Sequence, residues 1–217
     1  VAVLVDQWLF LSVSNAAETG DFMGWQPVVD GVVDTVRICV YNRRGVGGSD
    51  NTRETAALRT SQNMVDDLAA VITALELDPV IMVGHSVAGF NLRLLATQHP
   101  DLVAGNVFVE ASHPDQVLVF NEIPPGQPPE YLDIWGSHLI TTGTGDMGDK
   151  PVYVITGLAD QSADTADAWV ELHADHAATS TVSKHVVFDD VGHEVPGEDP
   201  QAVIDAILWV AARVGAG

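Results

Sequence analysis

The chain has 217 residues, of which 47% are hydrophobic, and this is enough for one globular domain with a sizeable core. Its 9 basic and 30 acidic residues give a formal net charge of −21, so nucleic acid and anionic membranes are not expected partners. The apolar runs are shorter than a membrane-spanning helix, so we expect a soluble protein.

The first predicted element is a short buried strand over residues 1–5. This apolar start has no basic flank, and Asp6 interrupts it, so we interpret it as a strand and not as a signal peptide. A signal removed before Val1 remains open, and with it the choice between the cytoplasm and secretion.

Strands and helices then alternate along the chain. After the first strand, helices are predicted at 25–36, 56–75, 88–99, 166–178 and 200–214, and strands at 37–41, 80–83, 105–110, 151–156 and 184–188. This order predicts an α/β domain over residues 1–217, with a mostly parallel sheet of about six strands covered by helices on both faces. Residues 111–150, rich in proline and glycine, predict a small, irregular lid over the strand ends.

The most informative stretch is PVIMVGHSVAGF at residues 79–90, where a β-branched run meets small residues and then a helical pattern. A strand, a tight turn carrying a serine and a helix together form a nucleophile elbow. The backbone of the serine is strained there, so small residues are needed two positions before and after it, and Gly84 and Ala88 meet that need. The alternative for Ser86 is an ordinary strand-to-helix turn with a capping serine.

Three features in the same order resemble the α/β-hydrolase fold family: the elbow with its GHSxxG pattern, the YNRRGVGGS loop at 41–49, and the late Gly192-His193 pair. A strand ending in Glu110, followed by ASHPDQ at 111–116, is similar to one bacterial group of that family. The resemblance covers almost the whole chain and implies the α/β-hydrolase fold, without the family's usual first two strands. It implies neither a metal nor an organic cofactor.

Nucleophilic catalysis by Ser86 would need a base and a carboxylate that orients it. His193 follows the last strand, where the family has its base histidine. Two acids compete for the third position. Asp160 follows the fifth strand, the family's commoner location, whereas Glu110 ends the fourth strand, and the match through residues 111–114 slightly favours Glu110.

The resemblance also implies two backbone donors for the oxyanion, the N–H groups of Val87 and Trp8. The family usually has His-Gly before the second donor, and this chain has Asp6-Gln7 there. Gln7 lacks the backbone freedom of glycine, and Asp6 adds a negative charge near a developing one. We therefore expect an altered oxyanion hole or weak activity.

Other histidines and aromatic residues are candidates for contact with substrate or with a metal. His113, Tyr131 and Trp135 of the lid are candidates for contact with substrate. His173 and His176 could share a helix face as half of a metal site, but the sequence offers no third ligand, so no metal is expected.

These observations together predict a serine esterase that acts on neutral, modest-sized ester substrates through an acyl-enzyme. The family's amidase, perhydrolase and lyase activities use the same three residue types, so they remain open. A non-catalytic protein that binds a ligand or a partner on the same fold is the alternative from another class, and the Asp6-Gln7 departure favours it.

Overall fold

The computed structural model of the protein describes residues 2–6, 22–44, 49, 58–77, 79–120 and 132–215. The described strands form one parallel sheet in the order β2-β1-β3-β4-β5-β6, which confirms the predicted fold class. They are β1 (Ala2–Asp6), β2 (Arg37–Tyr41), β3 (Val80–Ser86), β4 (Val103–Ala111), β5 (Val152–Gly157) and β6 (Ser183–Phe188).

The described α-helices follow the sequence pattern in most places. They are α1 (Gln26–Val32), α2 (Ser61–Ala74), α3 (Ala88–Gln98), α4 (Gln116–Phe120), α5 (Ile134–Thr141), α6 (Ala166–Ala178), α7 (Val195–Glu198) and α8 (Pro200–Val214). The helix predicted over 25–36 ends at Val32, and the one predicted over 56–75 begins at Ser61. Residues 111–150 contain two short helices where an irregular segment was expected, and the short helix α7 was not predicted. Among the helices in these ranges, none is long and apolar enough to cross a membrane.

The sheet separates two hydrophobic layers, because successive side chains of a strand point to opposite faces. In β3, Val80 and Met82 belong to the layer that contains α2 and α3. Ile81 and Val83 belong to the opposite layer, with α1 and α8. All of β3 is buried, as expected of a central parallel strand covered on both faces.

The helix α5 is anchored to the layer that contains α2 and α3. Ser61 donates its backbone N–H to the Ser137 hydroxyl at 2.9 Å, and Asp133 donates its own N–H to the Arg59 carbonyl at 2.7 Å. The Asp133 carboxylate also caps α5 by accepting from the Gly136 N–H at 2.7 Å. The bonds to Ser61 and Arg59 hold α5 against the body of the domain.

Strand β3 and helix α3 lie very close to the chain that leaves β4. A Cβ atom on Gly89 would lie 2.2 Å from the carbonyl oxygen of Ser112 and 2.9 Å from its nitrogen. At the same point the Ser112 N–H donates to the Ser86 carbonyl at 2.7 Å. The absence of a side chain at Gly89 therefore lets the helix that follows Ser86 rest against the end of β4.

We expect Gly89→Ala to lower the free energy of unfolding by about 1–3 kcal/mol, because the added methyl group meets backbone that cannot move aside. Denaturation by urea would measure this change. Gly197→Ala is the matched control, since a Cβ atom at Gly197 has nothing within 4 Å. Equal stability of the two variants would contradict the close approach.

Candidate active site

Ser86 lies at the carboxyl end of β3 in a backbone conformation that is unusual for a residue with a side chain. Its φ is +55°, in the left-handed region, and the residue is 5% exposed. A non-glycine residue held there costs on the order of 1–3 kcal/mol, and such strain is common at functional sites. Val87 follows as the N-cap of α3, so Ser86 stands at the beginning of a helix, as an elbow requires.

Glu110 lies beside Ser86 because β4 contains an irregularity at its end. His85 pairs with Val109, but the next residue, Ser86, pairs with Ala111, so Glu110 is an extra residue in the ladder. Its φ is +42°, which is also in the left-handed region. A bulge of this kind redirects a side chain relative to the regular strand.

The structure brings Ser86, His193 and Glu110 into a chain of contacts. His193 Nε2 lies 3.1 Å from the Ser86 hydroxyl oxygen, and His193 Nδ1 lies 3.3 Å from Glu110 Oε2. A carboxylate only accepts, so Nδ1 donates to Glu110 and Nε2 accepts from the Ser86 hydroxyl. A serine, an imidazole and a carboxylate in this order have the contacts that nucleophilic catalysis requires.

Two further donors hold the Glu110 carboxylate. Oε1 accepts from the Gly157 N–H at 2.8 Å and from the Trp169 indole N–H at 2.9 Å. Glu110 is only 2% exposed, so these bonds replace the water that a buried carboxylate loses.

Asp160, the competing acid, contacts the same loop through its backbone. Asp160 Oδ2 accepts from the His193 N–H at 2.7 Å, whereas Glu110 faces the imidazole ring. The carboxylate also packs against Gly192, where a Cβ atom would lie 2.4 Å from Oδ2. Glu198 accepts from the Gly192 N–H at 2.7 Å. Two acids therefore hold the backbone of the histidine loop, and a third faces the ring.

His85, the residue before Ser86, forms a hydrogen bond with the backbone of the loop that carries His193. Its Nε2 donates to the His193 carbonyl at 2.7 Å, and the two rings lie 4.6 Å apart between centroids. Burial lowers the pKa of His85 to about 3, and the neighbouring His193 adds to this effect. A neutral His85 can therefore orient the loop without adding charge beside Ser86.

One group among the described residues could offer three ligands to a metal ion. The ligand atoms of His85, His193 and Glu194 lie within 4.8 Å of one another. However, His85 Nε2 is bound to a carbonyl, and both His193 nitrogens contact Ser86 and Glu110. Metal binding at His193 would have to break one of these contacts.

The residues predicted to bind the oxyanion or the substrate differ in their burial and in whether the structure describes them. Val87 is buried at the beginning of α3, with its N–H among the first-turn groups that have no partner within the helix. Trp8 and Tyr131 lie outside the described residues. Trp135 of α5 is 47% exposed and packs on His138. Its proposed contact with substrate stays a prediction.

His113 is buried in an ionic cluster that the sequence did not indicate. Its Nε2 donates to Asp175 at 2.8 Å, its Nδ1 accepts from the Asp115 N–H at 3.0 Å, and Arg93 also bonds Asp175 at 2.9 Å. Burial lowers the pKa of His113 against the opposing effect of Asp175. Both ring nitrogens of His113 already have hydrogen-bond partners within the protein. The contact of His113 with substrate stays a prediction.

His173 and His176 do share one face of α6, and both are fully buried. Burial lowers the pKa of His173 to about 3 and holds the pKa of His176 well below its usual range. His173 bonds Thr156 at 2.6 Å and the Ala111 carbonyl at 3.1 Å. His173 therefore anchors α6 to the ends of β4 and β5.

The family model of the alpha/beta hydrolase fold matches residues 17–136, more than half of the chain. The chain belongs to the α/β-hydrolase family. The matched region includes the Ser86 elbow and Glu110, whereas His193 lies beyond it.

Individual relatives of this α/β hydrolase are distant or aligned over short regions. A putative carbamate hydrolase, RutD, of Caulobacter vibrioides is 35% identical over 92 residues, covering 42% of this chain and 34% of that protein. Methylesterase 2 of Arabidopsis thaliana is 36% identical over 69 residues, covering 31% of this chain and 26% of that protein. The matches with these two relatives thus span about a third of their length or less.

A solved structure of a thermophilic esterase from Thermogutta terrifontis is similar over nearly the whole fold. The TM-score is 0.64 at 20% identity, and the match covers 99% of this chain and 90% of that chain. At this identity the similarity concerns the fold alone.

The two acids of this α/β hydrolase should differ sharply in a test by substitution. We expect Glu110→Gln to lower kcat by about 10⁴-fold, because an amide no longer fixes the tautomer of the imidazole that it faces. Asp160→Asn is the matched control and should cost less than about tenfold, because the amide oxygen still accepts from the His193 N–H. Steady-state hydrolysis of a p-nitrophenyl ester would measure both, and the reverse ranking would assign the ring contact to Asp160.

Three buried histidines should make the stability of the fold depend on pH. His85, His173 and His176 have lowered pKa values in the folded chain, whereas the unfolded chain binds protons at these rings near pH 6.5. Their contribution to stability is therefore complete above about pH 6.5 and is lost as the pH falls toward the folded values.

We expect the free energy of unfolding to fall by about 1 kcal/mol per pH unit for each of these histidines between pH 6 and pH 5. This window lies above most of the carboxylate titration, and urea denaturation at each pH gives the measurement. His176→Gln should reduce the slope. A free energy of unfolding that is constant across the window would contradict the neutral, buried state of these rings.

Proposed function

We propose that this protein is a serine hydrolase that cleaves carboxylic esters of neutral, modest-sized substrates through an acyl-enzyme. The observation that carries the proposal is the contact of His193 Nε2 with the Ser86 hydroxyl at 3.1 Å, with Nδ1 of the same ring on Glu110 at 3.3 Å. In the absence of substrate such contacts are often slightly long, and they shorten when the substrate binds.

In the proposed first half of the reaction, the Ser86 oxygen attacks the carbonyl carbon of the ester as its proton moves to His193 Nε2. The resulting tetrahedral oxyanion collapses, the bond from carbon to the alcohol oxygen breaks, and the leaving alcohol takes the proton from His193. In the second half, a water molecule gives a proton to His193 and attacks the acyl carbon. The acid is released, and Ser86 recovers its proton.

Glu110 would stabilise the imidazolium that forms at each attack. Its carboxylate accepts from Nδ1–H and holds that tautomer, so Nε2 is the nitrogen that faces Ser86. Gly157 and Trp169 donate hydrogen bonds to the other carboxylate oxygen, which fix the orientation of the carboxylate.

The oxyanion would be stabilised by backbone N–H groups. Val87 N–H at the beginning of α3 is one proposed donor, and the helix N-terminus adds a favourable partial charge. The second proposed donor, Trp8 N–H, lies outside the described residues. Each such donor contributes about 3 kcal/mol to the stabilisation of the transition state.

The preference for neutral substrates rests on charge. The net charge of −21 disfavours the approach of anionic molecules. Trp135 and Leu139 of α5 are exposed apolar side chains that would suit an apolar acyl or alcohol group.

Hydrolysis of a carbamate is the second candidate. The 35% identity with the putative carbamate hydrolase of Caulobacter vibrioides over 92 residues favours it, and the 36% identity with Methylesterase 2 over 69 residues favours an ester. The same serine and histidine steps serve both substrates, because each has a carbonyl carbon with a leaving group.

Labelling by a fluorophosphonate, which reacts with activated serines, tests the proposal. We expect rapid labelling of wild-type protein at Ser86, no labelling of Ser86→Ala, and at least a 10³-fold slower rate for His193→Ala. Mass spectrometry of the labelled peptide identifies the site. A folded wild-type sample that is not labelled would favour the alternative of a non-catalytic binding protein.

Hydrolysis of matched p-nitrophenyl substrates would then rank the substrate classes. We expect kcat/KM to be highest for short neutral esters, and lower for an acyl chain that carries a carboxylate, because the protein is strongly negative. A carbamate turned over faster than every ester would replace the ester proposal by the second candidate.

A further inference from the structure

One face of α6 is buried against the site and carries an unusual set of side chains. Trp169, His173 and His176 follow one another at helical spacing, and each is 7% exposed or less. Polar aromatic rings are rarely buried without partners. The hydrogen-bond partners of Trp169 and His173 include Glu110 and the Ala111 carbonyl at the end of β4.

Trp169 makes a direct bond to the acid that faces His193. Its indole N–H donates to Glu110 Oε1 at 2.9 Å, and the Gly157 N–H donates to the same oxygen at 2.8 Å. Glu110 Oε2 is left to face His193 Nδ1. Because each carboxylate oxygen has a different set of partners, the plane of the carboxylate is defined, and so is the direction of its bond to the imidazole.

The indole itself is held on two sides. The Phe120 ring packs edge-on against it at 5.5 Å between centroids, and the His173 ring lies 4.3 Å away. His173 is fixed in turn, because its Nε2 donates to the Ala111 carbonyl at 3.1 Å and its Nδ1 accepts from the Thr156 hydroxyl at 2.6 Å. Burial keeps His173 neutral, with its pKa lowered to about 3, so it adds no positive charge beside Glu110.

We infer that Trp169 is a positioning residue for the reaction, acting through Glu110. This inference rests on the proposed function. Glu110 lies on a bulge with φ of +42°, so the local strand geometry alone does not hold its carboxylate in a regular position. Of the two donors to Oε1, Gly157 contributes a backbone group, which leaves the Trp169 indole as the side chain that substitution can remove.

The test uses Trp169→Phe in the full chain, since phenylalanine keeps an aromatic ring between Phe120 and His173 and removes the N–H. We expect kcat for a p-nitrophenyl ester to fall about 10- to 100-fold, the range for one hydrogen bond to a charged group, with KM nearly unchanged. The rate of fluorophosphonate labelling at Ser86 should fall by a similar factor. Trp209→Phe is the matched control, because Trp209 on α8 packs against Tyr153 and Arg213 instead of Glu110.

A double-mutant comparison distinguishes positioning from a general loss of structure. If Trp169 acts through Glu110, adding Trp169→Phe to Glu110→Gln should lower kcat by less than about threefold further. Losses that multiply in full would overturn the inference.

An isosteric replacement keeps the test decisive if the phenylalanine variant does not fold. Incorporation of 3-benzothienylalanine at position 169 retains the bicyclic shape and has sulfur in place of the N–H. We expect the same 10- to 100-fold loss in kcat from this replacement, because the hydrogen bond is the group removed.

The failure of this inference can be told from the failure of the proposed function. Wild-type protein that is not labelled at Ser86 would end the proposed function, and the positioning role with it. Wild-type protein that is labelled, together with a folded position-169 variant that is labelled and turns over substrate at the wild-type rate, would overturn only the role of Trp169.

Discussion

Burying the Glu110 carboxylate removes it from water, and an isolated charge in that position would destabilise the fold by several kcal/mol. Hydrogen bonds from Gly157, Trp169 and His193 compensate for the lost water. They come from the end of β5, from α6 and from the loop after β6. The same carboxylate therefore ties together the elements that must be correctly placed for His193 to face Ser86.

Backbone strain at two neighbouring strand ends accompanies this arrangement. Ser86 and Glu110 both have positive φ, and the bulge of β4 lies between the residues that pair with His85 and Ser86. The strained pair is held by the bond from Ser112 N–H to the Ser86 carbonyl and by the close packing of Gly89 on Ser112. Strain of this kind persists only where the surrounding structure determines it, and here the central strands of the sheet do so.

The histidines near Ser86 differ in burial, and this difference gives them different roles. His193 lies in a half-buried loop in contact with Ser86, while His85 and His173 are fully enclosed and have pKa values lowered to about 3. The enclosed rings act as neutral hydrogen-bonding groups that hold the His193 loop and the end of β4. A cationic ring at His173 would compete with His193 for Glu110, because His173 Nδ1 lies 3.9 Å from Glu110 Oε1.

Much of the fold was predictable from local patterns, because strand and helix periodicity act over a few residues. The strand at Arg37–Tyr41 and the helices Ala166–Ala178 and Pro200–Val214 have the bounds that their apolar spacing predicts, and the small residues around Ser86 predict the turn. The sequence only slightly favoured Glu110 over Asp160 as the partner of the histidine ring, since both acids follow strands that end at the same edge. The bulge of β4 turns Glu110 toward the ring, and Asp160 bonds the backbone N–H of the same histidine.

The bond from Trp169 had no signal in the sequence, because its partner lies 59 positions away and only the packing of α6 on the sheet brings the two together.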